Sequence, residues 1–342
     1  MKVTDYDYQL PESAIAIHPP TERGSTRLLR LNRQDGKIQD GLYRKLDDYL
    51  QAGDVLIINN TKVLPARLLA KTTENADREL LLLEKHGNQN DHHSSIVMYR
   101  RKIRPGQELL VGKTSIRVDE VFDNGTAQVS SDTDLWELAV EQGHIPLPPY
   151  MRREDDQQDK ERYQTEFAEE TGSVAAPTAS LNLTNELLDR VKMHGIEVAE
   201  VTLHVGLGTF MPIRVDDVTK HKMHQEYFEI PADTVEVIRR AKRDGRRVIA
   251  VGTTVTRTLE YAKEYLLGDQ IGPTHGEADI FIYPGYEFAI VDGMLTNFHA
   301  PHSTVLMMAA AFAGWQHLKP AYNHALQENY QFLSYGDSML IL

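Results

Sequence analysis

Cysteine is absent from the 342-residue sequence. Disulfide bonds, cysteine-ligated zinc or iron–sulfur sites and thiol nucleophiles are therefore excluded, and any chemistry must use oxygen and nitrogen groups. Long apolar runs are also missing: none approaches the ~20 residues that cross a bilayer, and the segment after Met1 lacks the apolar core of a signal peptide. We expect a soluble cytoplasmic protein that does not enter the membrane.

Basic residues are too few to balance the acidic ones: 37 Lys and Arg stand against 50 Asp and Glu, for a formal net charge of −13. Indiscriminate binding to phosphate backbones depends on clustered cations, so any nucleic-acid contact must be local. Two basic clusters are present, in residues 100–104 and 239–247. The second surrounds Gly245, where cations complement the dipole of a helix end, and we interpret it as a solvated helix end.

The chain is long enough for two ordinary domains, or for one domain carrying an insertion. From about Leu68 to Tyr150, short apolar segments alternate with turn-forming residues, which predicts a small β domain. Helix and strand patterns alternate from there to the C-terminus, apart from the charged run 152–161, which is typical of a solvated loop or a mobile lid. The expected architecture is α/β with a β-rich insertion.

Local signals predict several element boundaries. Thr184 is placed to cap a helix through Met193, and Ser303 opens an apolar helix. A capping-box pattern over residues 233–236 predicts the start of a helix that ends at Gly245. Apolar segments on both sides of Pro284-Gly285, over residues 280–283 and 288–291, predict a β-hairpin.

A strand pattern over residues 201–205 runs into Gly206-x-Gly208. Glycine allows a backbone to approach a ligand closely, so this loop is a candidate floor for a substrate, with a plain tight turn as the alternative. His221, His224 and Glu226 follow at a spacing that a metal could use, but proton transfer by His204, His224 and Glu226 is the favoured interpretation.

Polar residues follow three other predicted strands. Thr253 and Thr254 stand between a strand and a helix that carries Arg257, an arrangement suited to an anion, although ordinary helix capping explains the threonines equally well. Hydrogen-bonding side chains also cluster in residues 59–61 and 296–304. Burying such groups without partners is costly, which favours a binding site at these strand ends.

A series of segments in the same order resembles the S-adenosylmethionine:tRNA ribosyltransferase-isomerase family of queuosine biosynthesis over nearly the whole chain. The segments are Asn59–Arg67, Leu147–Tyr150, Tyr163–Thr165, Ala175–Ala179, Leu203–Phe210, Met223–Glu226, Val251–Thr254, Thr296–Pro301 and Ser334–Asp337. The resemblance implies an α/β domain with a barrel-like sheet, formed by residues 1–67 and 150–342, and a small inserted β-barrel domain at residues 68–149.

The resemblance also implies the reaction. The family transfers and isomerises the ribosyl part of S-adenosylmethionine onto 7-aminomethyl-7-deazaguanine at the tRNA wobble position, which yields epoxyqueuosine, adenine and methionine. It implies the tRNA anticodon stem-loop and S-adenosylmethionine as partners, with no metal and no cofactor beyond this co-substrate. We expect a monomer without an obligate protein partner.

For this reaction we assign His204, His224 and Glu226 to proton transfer and the sulfonium surroundings. Thr253, Thr254 and Arg257 are assigned to the methionine carboxylate, and Asn297 and His299 to the sugar or adenine. The complete predicted binding set is Asn59, Asn60, Thr61, Arg67, Gly206, Gly208, Thr209, Thr253, Thr254, Arg257, Asn297 and His299.

Four residues depart from the family pattern: Ser180, Asn182, Ala300 and His302 replace the usual Gly, His, Leu and Lys. Two alternatives therefore stand beside the predicted activity. The first is a divergent paralogue that binds tRNA without catalysing this reaction, and the second is a metal-dependent hydrolase that uses His221, His224 and Glu226.

Overall fold

The computed structural model describes residues 1–83, 92–206, 213 and 215–342. The strands are β1 (Arg27–Leu31), β2 (Ile38–Leu42), β3 (Val55–Asn59), β4 (Thr61–Val63), β5 (Arg67–Thr72), β6 (Asp77–Leu82), β7 (Ser94–Arg100), β8 (Glu108–Val111), β9 (Thr114–Val121), β10 (Thr126–Ser130), β11 (Glu170–Ser173), β12 (Glu197–Leu203), β13 (Glu226–Ile230), β14 (Val248–Val251), β15 (Thr274–Ala278), β16 (Gly293–Asn297) and β17 (Ser338–Ile341). The helices are α1 (Leu135–Gln142), α2 (Gln157–Arg162), α3 (Asn185–Met193), α4 (Ala232–Arg243), α5 (Thr253–Tyr261), α6 (Lys263–Leu267), α7 (Thr304–Ala313) and α8 (Trp315–Gln327).

The main sheet has nine strands in the order β15-β13-β12-β3-β14-β16-β17-β1-β2. Its central strands β12, β3, β14 and β16 are mutually parallel. Strand β3 is buried at every position because both faces of the sheet are covered. Val55 and Ile57 face the core that contains α4 and α5, whereas Leu56 and Ile58 face the core that contains α3.

A second sheet of six strands, β10-β7-β6-β5-β8-β9, closes into a barrel. Its inward side chains, among them Leu68, Leu80, Val97 and Val118, form a separate apolar core. Helix α1 packs Leu135 and other apolar residues into that core, and the Asp134 carboxylate caps its first turn. The α/β class with an inserted β-barrel is thereby confirmed, and the sheet of the main part is the nine-stranded one.

Helix boundaries that depend on local capping agree with the sequence. Thr184 accepts a hydrogen bond from the Leu187 N–H at the start of α3, and Ser303 does the same for α7. The capping box predicted at Asp233 is wrong, because α4 begins one residue earlier, after Pro231, without a side-chain cap. Asp233 instead lies within the first turn, where its charge complements the helix dipole.

The predicted hairpin around Pro284-Gly285 is also wrong, since residues 279–292 form no strand. The buried carboxylate of Glu260, on α5, accepts hydrogen bonds from the backbone N–H groups of Ala289, Ile290 and Val291 at 2.9–3.0 Å. These donors are satisfied by a side chain, so the segment needs no partner strand.

The two charged segments predicted to be solvated are tied into the fold. In the run 152–161, Asp159 is fully buried and receives two hydrogen bonds from Arg153, at 2.6 and 2.8 Å. In the cluster 239–247, Arg247 is paired with Asp54, and other cations of the cluster pair with Glu197 and Asp292. The helix end predicted at the cluster 239–247 is confirmed because α4 ends at Arg243, but most cations of the cluster are paired with carboxylates from other elements. The run 152–161, which was predicted to be a loop, instead contains most of α2. No helix within the described part of the chain is both long and apolar enough to span a bilayer.

A candidate substrate site at the carboxyl edge of the sheet

The parallel central strands bring their carboxyl ends to one edge of the main sheet, where ligands of α/β folds commonly bind. Gly252 follows β14, Asn297 ends β16, and His299 comes two residues later. Gly252 has a φ of +96°, which lets the chain turn sharply from β14 into α5. Most of the predicted site residues lie at or beyond these ends.

A cavity of about 320 Å³ opens at this edge. Its lining includes four residues of the predicted binding set, which are Thr253, Thr254, Asn297 and His299. Further lining residues were missed by the sequence predictions, although they belong to segments that carry the family resemblance: Tyr150, Tyr163, Ala175–Ala179 and Ser334. These residues could have been predicted from their position in the segments that resemble the family.

The first turn of α5 faces this cavity through Thr253 and Thr254. The first N–H groups of a helix have no acceptor within the helix, and together they favour an anion. The Thr254 hydroxyl is buried and has no hydrogen-bond partner among the described residues. A buried hydroxyl without a partner is uncommon in folded proteins.

Asn297 and His299 are held in place by hydrogen bonds at and just beyond the end of β16. The Asn297 side-chain oxygen accepts a hydrogen bond from the Thr178 hydroxyl at 2.9 Å. The His299 ring nitrogen Nε2 lies 2.9 Å from the Thr296 hydroxyl, and the His299 N–H donates to the Tyr322 hydroxyl oxygen at 3.0 Å. Burial lowers the pKa of His299 to about 3, so its imidazole is neutral near pH 7.

Arg257 projects from the next turn of α5 and forms a buried ion pair with Glu226, at the start of β13. The second Glu226 oxygen accepts a hydrogen bond from the Gly206 N–H at 3.0 Å. The guanidinium predicted to meet a substrate carboxylate is thus engaged by a protein carboxylate, which connects α5 to the glycine-containing loop. Gly208 and Thr209 lie outside the described residues.

His204 and Glu226 lie on opposite faces of the main sheet. Its Nδ1 is 2.7 Å from the Thr61 hydroxyl, and its ring stacks with Tyr227. Neighbouring residues of a strand point to opposite faces, so Glu226 points away from Tyr227 and His204. Gly172 packs so closely against the His204 ring that a Cβ there would come within 2.7 Å of Nε2. The cavity wall near this point is formed by Val205 instead.

The other two residues of the predicted metal group do not join Glu226. His224 is exposed, and His221 makes an edge-to-face contact with Phe281. No group of three or more histidine or acidic residues is placed to hold a metal, as far as residues 1–83, 92–206, 213 and 215–342 are concerned.

Asn59 and Asn60 connect β3 to β12. The Asn59 side chain exchanges two hydrogen bonds with the backbone of Leu203, at 2.9 and 3.1 Å. The Asn60 side-chain oxygen accepts from the Thr202 hydroxyl at 2.7 Å. These amides, which were predicted to bind substrate, are among the contacts that align the two strand ends, and neither lines the cavity.

Arg67 lies apart from this cavity, in a second one of about 550 Å³ between the barrel and the segment 146–154. Its guanidinium contacts Glu79 at 3.0 Å and Glu154 at 2.6 Å. The two cavities share Pro149 in their walls. The predicted binding set is therefore distributed over two adjacent cavities and the polar contacts around them.

The four departures from the family pattern fall in two places. Ala300 and His302 line the first cavity. Asn182 is buried outside it, where its side-chain oxygen accepts a hydrogen bond from the Gly24 N–H at 3.3 Å, and Ser180 is fully buried nearby in the chain. The missing histidine of the family pattern thus corresponds to a position that lines neither cavity.

Comparison with known proteins extends over the full chain. The family model described as "Queuosine biosynthesis protein" matches residues 3–341. A protein named S-adenosylmethionine:tRNA ribosyltransferase-isomerase from Pelodictyon phaeoclathratiforme is 53% identical, and one of the same name from Francisella tularensis subsp. novicida is 46% identical, each alignment covering 100% of both chains. A crystal structure described as S-adenosylmethionine tRNA ribosyltransferase from Thermotoga maritima has 32% identity and a TM-score of 0.57, and covers 99% of this chain and 100% of that one. The chain belongs to the queuosine biosynthesis protein family.

Proposed function

We propose that this chain transfers and isomerises the ribosyl part of S-adenosylmethionine onto 7-aminomethyl-7-deazaguanine at the wobble position of tRNA. The products are epoxyqueuosine-bearing tRNA, adenine and methionine. The observation that carries the proposal is the first cavity, whose polar lining comes from segments by which the chain resembles this family. The full-length identity to relatives that bear the enzyme's name supports it.

The first cavity has a suitable size and polarity for S-adenosylmethionine. Its 320 Å³ falls within the ~300–1,000 Å³ typical of small-molecule sites. The methionine carboxylate is assigned to the first turn of α5, where Thr253 and Thr254 supply N–H groups and a buried hydroxyl. Arg257 acts there as a positioning residue, because its ion pair with Glu226 fixes the helix that presents these donors.

The sulfonium and sugar are assigned to the wall formed by Asn297 and His299. A positively charged imidazole would repel the sulfonium, whereas the low pKa of His299 keeps this ring neutral. Asn297 offers an amide group to sugar hydroxyls or to the adenine edge, with its orientation set by Thr178.

The sulfonium acidifies the neighbouring C5′ protons of S-adenosylmethionine. Removal of one of them starts ring opening and loss of adenine, after which the aminomethyl nitrogen of the tRNA base forms a C–N bond to the opened ribosyl fragment. The fragment closes to a carbon ring, and one of its oxygens displaces methionine from the sulfonium-bearing carbon to form the epoxide. His204 and His224 were predicted as candidates for the base, but neither lines the first cavity, so we assign no residue of that lining to proton removal. Glu226 is assigned a positioning role, since it already holds Arg257 and the Gly206 N–H.

The test is incubation of the purified protein with S-adenosylmethionine and tRNA that bears the precursor base, followed by adenine quantification and mass spectrometry of the nucleosides. We expect adenine release and epoxyqueuosine only with precursor-bearing tRNA. Matched tRNA with an unmodified guanine is the control. Equal adenine release from both tRNAs, or none from either, contradicts the proposed reaction.

The alternative of an inactive tRNA-binding paralogue depended mainly on Ser180 and Asn182. Both are buried away from the two cavities, so their identity does not remove a group from the proposed site. The domain boundaries, the monomeric state, the cytoplasmic location and recognition of the anticodon stem-loop remain predictions.

A further inference from the structure

Three hydroxyl groups belong to the wall of the first cavity and have no role in the binding of S-adenosylmethionine described above. Tyr150, Tyr163 and Ser334 line the cavity and come from three separate parts of the chain. The Tyr150 hydroxyl oxygen accepts a hydrogen bond from the Ser334 N–H at 3.1 Å and is also hydrogen-bonded to the Ser334 hydroxyl. These three residues form the hydroxyl cluster.

The Tyr163 hydroxyl is the member of the hydroxyl cluster that is left without a partner. The residue is 1% exposed, and its hydroxyl makes no hydrogen bond of good geometry within the described part of the chain. The Ala176 backbone and the Ser334 hydroxyl are close enough to affect its pKa without reaching that geometry. Buried polar groups nearly always have a partner, and the cavity that Tyr163 lines is where a partner can enter.

Surrounding contacts hold the hydroxyl cluster in place. The Tyr163 ring packs edge-on against the Tyr335 ring, with centroids 5.9 Å apart, and the Tyr335 hydroxyl donates to the buried Asp159 carboxylate at 2.7 Å. Leu333, which precedes Ser334, has a φ of +70°. This left-handed conformation is unfavourable for a bulky side chain, and strain of this kind concentrates at functional sites.

Burial keeps both phenols of the hydroxyl cluster protonated. It raises the pKa of Tyr150 to about 12 and raises the pKa of Tyr163 well above its ordinary value. Each of the three groups is therefore a neutral hydroxyl, which can both donate and accept a hydrogen bond. No acidic residue of the described part of the chain lines the cavity, so a positively charged group would meet no protein carboxylate there.

Among the groups of S-adenosylmethionine, the ribose 2′- and 3′-hydroxyls match this cluster best. They are neutral and adjacent, and each of them is both a donor and an acceptor, like the hydroxyls of the protein. The adenine edge instead presents a donor beside an acceptor in fixed positions, a pattern that an amide side chain such as that of Asn297 matches.

We propose that the hydroxyl cluster binds the ribose hydroxyls of S-adenosylmethionine, with the Tyr163 hydroxyl bonded directly to one of them. Asn297 is then left for the adenine edge. Pro149 precedes Tyr150 and belongs to the walls of both cavities, so the sugar is held on the side of the first cavity that adjoins the second. This inference rests on the proposed function and adds to it the subsite of the transferred group.

The test measures equilibrium binding of S-adenosylmethionine and of its 2′-deoxy and 3′-deoxy analogues by calorimetry. Binding is measured with and without an anticodon stem-loop that carries guanine, which lacks the aminomethyl nucleophile. Tyr163→Phe removes one oxygen atom and should weaken binding of S-adenosylmethionine about 2- to 13-fold, the range for one hydrogen bond. The penalty should disappear with one of the two deoxy analogues, as a double-mutant cycle requires for a direct contact.

Tyr330→Phe is the matched control, because it also removes the hydroxyl of a buried tyrosine, one that is bonded to Asp40 and lines neither cavity. It should bind all three ligands as the wild type does. An equal penalty of Tyr163→Phe for all three ligands would assign Tyr163 to another part of the molecule and overturn the proposal, as would no penalty for any of them.

Thermal unfolding checks that each variant is folded. If Tyr163→Phe is not, Ser334→Ala takes its place, and its penalty must likewise disappear with one of the analogues. Adenine release by the wild type from precursor-bearing tRNA is assayed separately. Activity in that assay, together with a penalty that is the same for all three ligands, would contradict this inference alone and leave the proposed function standing.

Discussion

The neutral imidazole of His299 makes the free energy of unfolding depend on pH. Its pKa is about 3 in the folded protein and about 6.5 in an unfolded chain. Between these values the unfolded state binds more protons, so the contribution to stability is complete above pH 6.5 and decreases as the pH falls toward 3.

We therefore expect the wild type to lose about 1–2 kcal/mol more stability than His299→Gln between pH 7 and pH 5. The lower end of this range applies if water in the cavity hydrates the ring. Urea unfolding at both pH values measures the difference. Equal losses in the two proteins would show that His299 titrates normally.

Asn182 is the departure from the family pattern whose structural role is clearest. Because its side-chain oxygen accepts from the Gly24 N–H, Asn182→His should remove that hydrogen bond and force a larger ring into a buried site. We expect a loss of about 1–3 kcal/mol in stability and no gain in turnover. Unfolding and adenine-release assays report the two effects. A tenfold gain in turnover would instead place residue 182 in the catalytic machinery.

Helix α5 performs two tasks, since its first turn faces the first cavity and its last turn organises the segment after β15. Glu260 organises that segment by accepting hydrogen bonds from three of its backbone N–H groups and from the Tyr286 hydroxyl. Glu260→Ala should cost about 3 kcal/mol or more, because it leaves buried donors without an acceptor.

Glu264→Ala, at an exposed position on α6, is the matched control and should change stability by about 0.5 kcal/mol or less. Hydrogen exchange of residues 289–291 provides a second measurement. Protection of these amides that survives in Glu260→Ala would mean that another group satisfies them.

Element boundaries were predictable where the deciding interaction is local. Thr184 and Ser303 cap helices through backbone groups three residues away, so the sequence window contains the whole interaction. The hairpin around Pro284 failed because Glu260, more than twenty residues earlier, satisfies the backbone. The same limit applies to Arg247 in the basic cluster 239–247, because its partner Asp54 lies 193 residues earlier in the sequence.

In the candidate site, too, some residues could be predicted from the sequence and others could not. Thr253, Asn297 and His299 were predicted because polar residues follow predicted strands there, and the parallel strands then bring them to one edge of the sheet. Arg257 was predicted as a free anion ligand, whereas its partner Glu226 stands on an antiparallel strand whose register the sequence does not specify. The second cavity, which Arg67 lines, exists only once the barrel packs against residues 146–154.

At the scale of the whole molecule, the two basic clusters differ in how far their cations are exposed. Arg100 and Arg101 are 74% and 64% exposed, whereas Arg246 and Arg247 of the other cluster are 24% and 30% exposed. Replacing Arg100, Arg101, Lys102 and Arg104 by glutamine should weaken tRNA binding. The slope of log K against log salt should fall by about one unit for each phosphate that the protein no longer neutralises. Arg243→Gln is the control, because Arg243 is a 74% exposed cation of the other cluster. Binding measured at several salt concentrations gives both slopes. An equal reduction by the control would mean that tRNA also binds the helix end.

The position of β17 links the order of synthesis to the completion of the fold. This strand, Ser338–Ile341, pairs with β1 in parallel and with β16 antiparallel, so it fills an interior place in the nine-stranded sheet. During synthesis, the edges of β1 and β16 that pair with β17 stay unpaired until β17 has left the ribosome. Unpaired strand edges are prone to aggregation. A chain that stops before Ser338 would lack β17, and the sheet would be left in two parts.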